Sequence, residues 1–259
     1  MNIKKKSYEN LILNITAWVI LIGIIVFWQL AGDKGILNTT ILSKPTLIFE
    51  RFVKMVGDKS LINHIIASLS RVLKGFFIGA GIGLLLGLIL GLSKRLEVIA
   101  NLFIGILRPI PPIAWIPLLI LALGIGEQSK VTVIAIGSFW PMLLDTIHGV
   151  KSTDKALMEL GRVLEKDRRT VITKIILPSA VPAIFTGARQ AISRAWSCVV
   201  TAEMIAASRG VGFLIQYARE LSQPALMFVG VAMIGLIGVL IDIIMMRLEK
   251  RLLYWNMTD

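Results

Sequence analysis

The stretch Lys151-Ser-Thr-Asp-Lys-Ala-Leu-Met-Glu-Leu-Gly-Arg-Val-Leu-Glu-Lys-Asp-Arg-Arg-Thr170, followed by Ile175-Ile-Leu-Pro178, interrupts a chain that is otherwise strongly apolar. The chain has 259 residues, of which 56% are hydrophobic and 17% are charged, and its mean hydropathy is +0.79. Soluble domains of this length carry about a quarter charged residues. The composition therefore indicates an integral membrane protein, and the charged stretch is a long polar insert between two of its apolar spans.

The apolar residues occur in blocks of roughly 20, the length that a helix needs to cross a bilayer. We predict six transmembrane spans, at residues 11–31, 66–92, 98–123, 130–149, 179–206 and 225–246. Because backbone polar groups must find partners inside lipid, the spans are helices and the fold class is an all-α membrane protein. Two further segments, at 41–60 and 208–223, have the spacing of short helices at the membrane surface. Residues 1–60 are interpreted as an N-terminal helix with its amphipathic segment, and residues 61–259 as the main transmembrane domain.

Lysine and arginine are distributed unevenly between the two sides of the predicted spans. With the N-terminus inside, the inner segments carry 15 of these residues and the outer segments carry 8. Basic residues accumulate on the cytoplasmic side of membrane proteins. The distribution predicts a multi-pass protein of the cell membrane with both termini and the charged stretch in the cytoplasm. It also offers a simpler reading of the net charge of +12 than nucleic-acid binding does.

The charged stretch has the pattern of a short amphipathic helix. Thr153 or Asp154 is suited to cap its start. Apolar or small residues then recur at helical spacing along one stripe, at Leu157, Leu160, Gly161 and Leu164. A helix this short is marginal alone in water. Two interpretations remain open: the stripe docks into a groove of a partner, or the helix lies on the inner leaflet with its basic residues near lipid phosphates.

The third span contains Leu107-Arg-Pro-Ile-Pro-Pro-Ile-Ala-Trp-Ile-Pro117. Its prolines each remove a backbone donor, so a regular helix cannot continue through it. Irregular backbone at membrane depth is tolerated where it is buried in protein or lines a cavity. We therefore predict a translocation pathway that passes Arg108, Pro111, Pro112 and Trp115. The alternative is a re-entrant corner that does not contact the transported solute.

Glycines recur every four residues along the second span, at Gly75, Gly79, Gly83, Gly87 and Gly91. Residues at this spacing share one helix face, and glycine there lets a second helix approach closely. We predict helix packing at Gly79, Gly83 and Gly87. The interface is either an ordinary one or a sliding one beside the pathway.

Arg189, Trp196 and Glu203 are spaced by seven and share one face of the fifth span. Ionisable residues in a span usually face the bundle interior or water. We predict that these three residues line the pathway, where the arginine would attract an anionic solute. The alternative is a structural ion pair, with Arg194 neutralising Glu203 or Asp242.

Several other kinds of site are not indicated. His64 and His148 have no neighbours at metal-ligand spacing, and Cys198 is a lone cysteine in an apolar span. Neither a catalytic triad nor a phosphate-binding loop is recognisable. We predict no metal site, no nucleotide site and no enzymatic activity in this chain, so that any ATP is bound by another subunit.

The motifs together resemble those of the membrane subunits of binding-protein-dependent ABC importers, and most of all the nitrate, sulfonate and taurine permeases. Glu159-Leu-Gly161 followed by Ile176-Leu-Pro178 is similar to the EAA loop of that family. Further similar stretches are Ser70-Arg-Val-Leu-Lys-Gly-Phe76, Arg108-Pro-Ile-Pro-Pro-Ile-Ala-Trp-Ile-Pro117, Gly124-Ile-Gly-Glu-Gln-Ser-Lys130, and Trp196 with Glu203. One departure is Glu165, which stands where the family usually has a glycine that turns the loop. Glutamate adopts a positive φ only at a cost, so the resemblance leaves the bend of the loop open.

The resemblance implies a type I importer permease with a cytoplasmic coupling helix. Two copies of the chain would form the pore, two cytoplasmic ATPase subunits would bind ATP and Mg, and an extracytoplasmic solute-binding protein would deliver the solute. The coupling loop, residues 151–178, would contact the ATPase through Leu157, Glu159, Leu160, Gly161, Leu164, Glu165, Leu177 and Pro178. The implied solute is a small anion such as an organic sulfonate, taurine or nitrate. A vitamin precursor or another small organic solute is the alternative, and a stand-alone secondary transporter is a further one.

Overall fold

The computed structural model describes residues 2–38 and 41–254, with side chains from residue 13 onward except Arg162. The side chains of Lys4, Lys5 and Lys6, which contributed to the predicted topology, lie outside that description. The described residues form helices and turns and contain no strand. The helices are α1 Asn2–Asp33, α2 Pro45–Gly57, α3 Ser60–Leu92, α4 Lys94–Leu107, α5 Ile116–Leu123, α6 Glu127–Lys151, α7 Lys155–Val163, α8 Arg168–Val171, α9 Leu177–Ala206, α10 Val211–Glu220 and α11 Pro224–Leu252.

Within the described residues, five helical stretches are long and apolar enough to cross a membrane, and a bent pair of shorter helices makes a sixth. The five stretches are Leu13–Asp33, Ser60–Leu92, Glu127–Lys151, Arg168–Ala206 and Pro224–Leu252. The predicted all-helical fold with six spans is therefore confirmed, although several helices extend beyond the predicted limits. The short surface helices expected at 41–60 and 208–223 are α2 and α10.

The third span is broken, as its prolines predict. Helix α4 ends at Leu107, a 3₁₀ turn occupies Pro112–Trp115, and α5 continues to Leu123. The two halves are bent by 81° at the break. The bend follows from the prolines, which fix φ and cannot donate to the preceding helical turn.

The chain divides into two compact units. One comprises Met1–Ile62 with Leu214–Ala232, and the other comprises Asn63–Phe213 with Met233–Asp259. The first unit contains α1 packed on α2, where Lys44 Nζ contacts Asp33 Oδ1 at 2.8 Å. The second unit contains every candidate site residue named above. The predicted domain division at residue 60 stays a prediction, because these units are defined by packing alone.

The glycine face of α3 packs directly against α6 in the second unit. A Cβ atom added at Gly83 would lie 2.7 Å from the carbonyl oxygen of Phe139, and one added at Gly87 would lie 2.6 Å from Thr146 Cβ. At Gly79 the added atom would overlap the carbonyl oxygen of Ala135. These residues are therefore required for close approach of the two backbones. Helix α9 packs along the same α6, and Ala80, Met142 and Ala191 form a core cluster where the three helices meet.

Candidate functional site

The charged stretch forms the helix α7, Lys155–Val163, between the end of α6 and the short helix α8. Asp154 begins it, because its Oδ1 accepts a hydrogen bond of 2.9 Å from the Ala156 amide. Thr153, the other predicted cap, donates instead to the carbonyl oxygen of Val150 at 3.0 Å. The predicted helix is thus present, with Asp154 as its capping residue.

The outer face of α7 is apolar and exposed. Leu157, Leu160 and Leu164 are exposed by 43%, 53% and 55%, and Val163 by 79%. Exposed apolar side chains are ordinary singly, but a contiguous row on one short helix indicates a surface that another molecule covers. Glu159 is exposed on the same helix. It lines a cavity of about 340 Å³ with neighbours that include Lys151 and Lys155.

The inner face of α7 is formed by Met158 and Gly161. Met158 packs against the buried cluster of Val150 and Ile176. Gly161 is buried, and a Cβ atom there would lie 3.2 Å from Ile175 Cδ1. The predicted stripe is therefore split, because Gly161 lies at its edge and turns toward the protein while the three leucines face outward. The small size of Gly161 serves to bring α7 close to the helix that follows.

Glu165 ends the α7 segment in the left-handed region, with a φ of 48°. The Leu164 amide donates to Leu160 and the Lys166 amide donates to the Gly161 carbonyl, each at 3.0 Å. This arrangement satisfies the last carbonyls of the helix, as glycine commonly does at such a position. The bend lies at the position where the resembling family has glycine, and Glu165 adopts the required backbone conformation without being glycine.

Two residues after that bend, the chain re-enters a helix at Asp167. Its side chain accepts hydrogen bonds from the Thr170 amide and hydroxyl, and these bonds lower the pKa of the Asp167 carboxyl below its usual value. A π-helical turn, Ile172–Ile176, then leads into α9, which begins at Leu177 with Pro178 in its first turn. Pro178 has no N–H to donate to the carbonyl of Lys174, and the widened turn lies directly before it. Leu177 and Pro178 thus form the first turn of α9, directly after the widened turn.

The broken third span lines a polar cavity of about 600 Å³ together with α6 and α9. Arg108, Pro111 and Pro112 contribute from the break. The remaining lining includes Asp145 and His148 of α6 and Gln190 and Arg194 of α9. The cavity is the place where three of the predicted pathway residues come together.

The charged groups of this cavity are not paired with one another. Asp145 Oδ2 accepts a hydrogen bond of 2.8 Å from Gln190 Nε2. Neither Arg108 nor Arg194 makes a side-chain hydrogen bond or ion pair with any residue that the structure describes. Trp115, also predicted for the pathway, lines a second cavity of about 430 Å³ that is almost entirely apolar. Trp140 lines both cavities, so they lie side by side.

Arg189 and Trp196 pack toward α11. Arg189 makes ion pairs of 2.8 Å with Asp242 and 3.5 Å with Glu249. Trp196 is buried, and its Nε1 donates to the carbonyl oxygen of Ile234 at 3.0 Å. In the described chain both residues therefore hold two helices together, and their roles in a pathway stay predictions.

Glu203 and Arg71 are the buried members of a charged cluster that spacing along the sequence did not indicate. The Glu203 carboxylate accepts hydrogen bonds from Ser68 Oγ at 2.8 Å, from Arg71 Nη1 at 2.7 Å and from the Gly212 amide at 2.9 Å. Arg71 also donates two bonds of 2.7 Å to the Glu127 carboxylate. The cluster lies at the end of α6 and α9 remote from α7. It joins α3, α6, α9 and the start of α10.

Arg71, Glu127 and Glu203 come from three separate stretches that had been recognised only as motifs. Each of these stretches contains one charged residue of the cluster. Their charges were therefore the sequence feature from which the cluster could have been inferred. The alternative to a pathway role was a structural ion pair, with Arg194 as the example of a partner for Glu203 or Asp242. The structure instead pairs Glu203 with Arg71 and Asp242 with Arg189.

Comparison with known proteins identifies the family. Residues 79–254 match the family described as "Binding-protein-dependent transport system inner membrane component". The chain belongs to this family. It is 38% identical to the putative aliphatic sulfonates transport permease protein SsuC of Bacillus subtilis, over 90% of this chain and 84% of that protein.

Two other relatives are named for different substrates. The taurine transport system permease protein TauC of Escherichia coli is 32% identical, over 90% of this chain and 86% of its own length. The bicarbonate transport system permease protein CmpB of Synechococcus elongatus is also 32% identical, over 90% of this chain and 87% of its own length. The predicted resemblance to sulfonate, taurine and nitrate-type permeases is therefore confirmed.

Solved structures support the fold. The inward-facing MetNI methionine ABC transporter has a chain that superposes with a TM-score of 0.62 at 19% identity, covering 74% of this chain and 95% of that one. A chain of an amino acid ABC transporter superposes with a TM-score of 0.65 at 17% identity, covering 77% and 98%. The type I importer permease fold predicted for this chain is thereby confirmed.

Proposed function

We propose that this chain is the pore-forming subunit of an importer for a small organic anion, driven by ATP hydrolysis in a separate cytoplasmic subunit. The observation that carries the proposal is the row Leu157, Leu160 and Leu164, displayed on a helix that is anchored at both ends. Asp154 caps its start and Glu165 turns its end, so the row is held in one orientation. A preformed apolar row of this kind suits docking into a groove of a partner.

The packing behind α7 suits the transmission of motion. Met158 and Gly161 fix the helix to a core cluster that contains Val150, near the end of α6, and Ile176, directly before α9. A displacement of α7 by a bound ATPase would therefore reach the two helices that line the polar cavity. In this proposal α7 is the coupling helix, and ATP and Mg are bound by the partner.

The remaining partners follow from the family and from charge. The excess of lysine and arginine on the segments that include α7 favours a cytoplasmic position for it and for both termini. A second copy of this chain would complete the pore, and an extracytoplasmic solute-binding protein would deliver the solute to the opposite side. A sulfonate or a related small anion is the preferred solute, because relatives named for aliphatic sulfonates, taurine and bicarbonate all align over most of this chain.

Copurification tests the docking directly. The chain is coexpressed with its partner ATPase, and the amount of ATPase retained on the tagged permease is measured for Leu160→Arg and Glu159→Lys. Burying the exposed halves of three leucines contributes about 1 kcal/mol each, and an arginine in their groove would add an unpaired charge. We expect at least a tenfold loss of bound ATPase for Leu160→Arg.

A matched control is Thr173→Arg, which adds the same side chain at an exposed position of the same segment but outside the leucine row. It is expected to retain the ATPase, and all variants are checked for an unchanged elution volume in detergent. Normal ATPase retention by both Leu160→Arg and Glu159→Lys would overturn the proposed docking surface.

A further inference from the structure

The polar cavity is lined by side chains of opposite charge that form no ion pair with one another. It is lined by the guanidinium groups of Arg108 and Arg194 and by the carboxylate of Asp145. No ion pair joins the carboxylate to either arginine, and its only hydrogen bond to a described side chain comes from Gln190. Elsewhere in the same unit, Arg71 and Arg189 are each paired with two carboxylates. The arginines of the cavity therefore differ from Arg71 and Arg189, because no carboxylate among the described residues neutralises them.

The position of Arg194 makes its lack of a partner costly. It lies about 18 Å along α9 from Ala206 and about 26 Å from Leu177, at the 1.5 Å rise of an α-helix, so it is far from both ends of α9. An ionised residue at such depth normally pairs with another residue or faces a water-filled cavity, and it marks a functional site by default. Because neither arginine has an ion-pair partner among the described residues, both leave N–H donors available to an anionic group in the cavity.

Asp145 lies on the same cavity closer to the α7 end of the bundle, about 9 Å along α6 from Lys151. Its Oδ1 makes no hydrogen bond with any described residue. A simple anion in this cavity would satisfy the arginines but would be repelled by the carboxylate. A solute with an ammonium group as well as an anionic group would satisfy both.

We propose that this cavity is an intramembrane binding site for a small zwitterion, with Arg108 and Arg194 on its sulfonate or carboxylate group and Asp145 on its ammonium group. The inference rests on the proposed function, and it narrows the solute from small anions in general to those that carry an ammonium group beside the anionic group. The volume of about 600 Å³ is within the range of small-molecule sites and leaves room for water beside a solute of a few heavy atoms. Plain alkyl sulfonates and bicarbonate lack the ammonium group that Asp145 would bind.

The test uses the assembled permease and ATPase complex in lipid nanodiscs with two matched probes. These are 2-aminoethanesulfonate and ethanesulfonate, which differ by one ammonium group, and their binding is followed by saturation-transfer NMR titration. We expect 2-aminoethanesulfonate to bind at least about tenfold more tightly than ethanesulfonate. Arg194→Gln should weaken both probes about tenfold or more, the scale of one charge-assisted hydrogen-bonding group. Asp145→Asn should remove the preference between the probes while ethanesulfonate still binds.

Lys74→Gln is the control, because Lys74 is an exposed basic residue of α3 that does not line the cavity. It should leave both affinities unchanged, and Arg194→Lys should restore part of the loss. Equal affinities for the two probes, unaffected by Asp145→Asn, would overturn the zwitterion assignment. Failure of both probes to bind, with Arg194→Gln the same as the unmodified chain, would overturn the site itself. In either case retention of the ATPase would show that the proposed function stands.

Discussion

Replacing Arg71 by methionine removes the positive charge that is paired with the fully buried carboxylate of Glu203. The Arg71 side chain is 7% exposed and makes four hydrogen bonds, two to Glu127, one to Glu203 and one to the carbonyl oxygen of Arg209. Glu203, with a side chain that is 0% exposed, would keep only Ser68 and the Gly212 amide as donors. Removing one partner of a buried pair typically costs about 3–5 kcal/mol, because the other charge stays buried without compensation.

The free energy of unfolding is measured for the permease in mixed detergent micelles by titration with a denaturing detergent. Arg71→Met is expected to lower it by about 3–5 kcal/mol. The double variant Arg71→Met with Glu203→Gln removes the uncompensated charge and is expected to recover at least half of that loss. Lys74→Gln is the matched control, since Lys74 is an exposed basic residue of the same helix, and its replacement should cost about 0.5 kcal/mol or less. A loss below 1 kcal/mol for Arg71→Met, or a double variant as unstable as the sum of its single changes, would refute the reasoning.

Three further predictions concern other parts of the second unit. Gly79→Val forces a side chain into the Ala135 carbonyl and should prevent a folded, monodisperse protein in detergent chromatography, whereas Gly81→Ala enters open space and should elute normally. Glu165→Gly relieves a left-handed residue that costs about 1–2 kcal/mol and should slow hydrogen exchange of the Lys166 amide, and faster exchange would contradict this. Asp167→Asn should speed exchange at the start of α8. The native Asp167 has a lowered pKa, so its stabilisation is complete above the usual pKa of aspartate and is lost as the pH falls through the lowered value. A protection factor of the Thr170 amide that does not change with pH would exclude this contribution.

The spans and the break in the third span follow from local physics and were predictable. A run of about 20 apolar residues must be helical in lipid, and a cluster of prolines must interrupt it. The glycine face of α3 was predictable for the same reason, since spacing by four determines which residues share a face. The spacing did not show which helix packs against this glycine face. In the structure that helix is α6.

The charged pairs were not predictable from one sequence. Arg71 and Glu203 are 132 positions apart, and their contact depends on how α3 and α9 are placed and rotated in the bundle. Because the rotation of each helix cannot be read from spacing, the sequence could not distinguish Arg71 from Arg194 as the partner of Glu203. For α7, periodicity indicated the apolar stripe but not which edge faces inward, because that depends on packing against Val171 and Ile175.

The central claim is that the leucine row of α7 binds the ATPase that drives the pore. The most direct measurement is cysteine cross-linking in the assembled complex, with Leu160→Cys placed in a Cys198→Ala background and a short bifunctional reagent. The account predicts a covalent product with the ATPase subunit for Leu160→Cys and none for the control Thr173→Cys. A complex that transports normally but yields no product at Leu160, or yields it only at Thr173, would contradict the account.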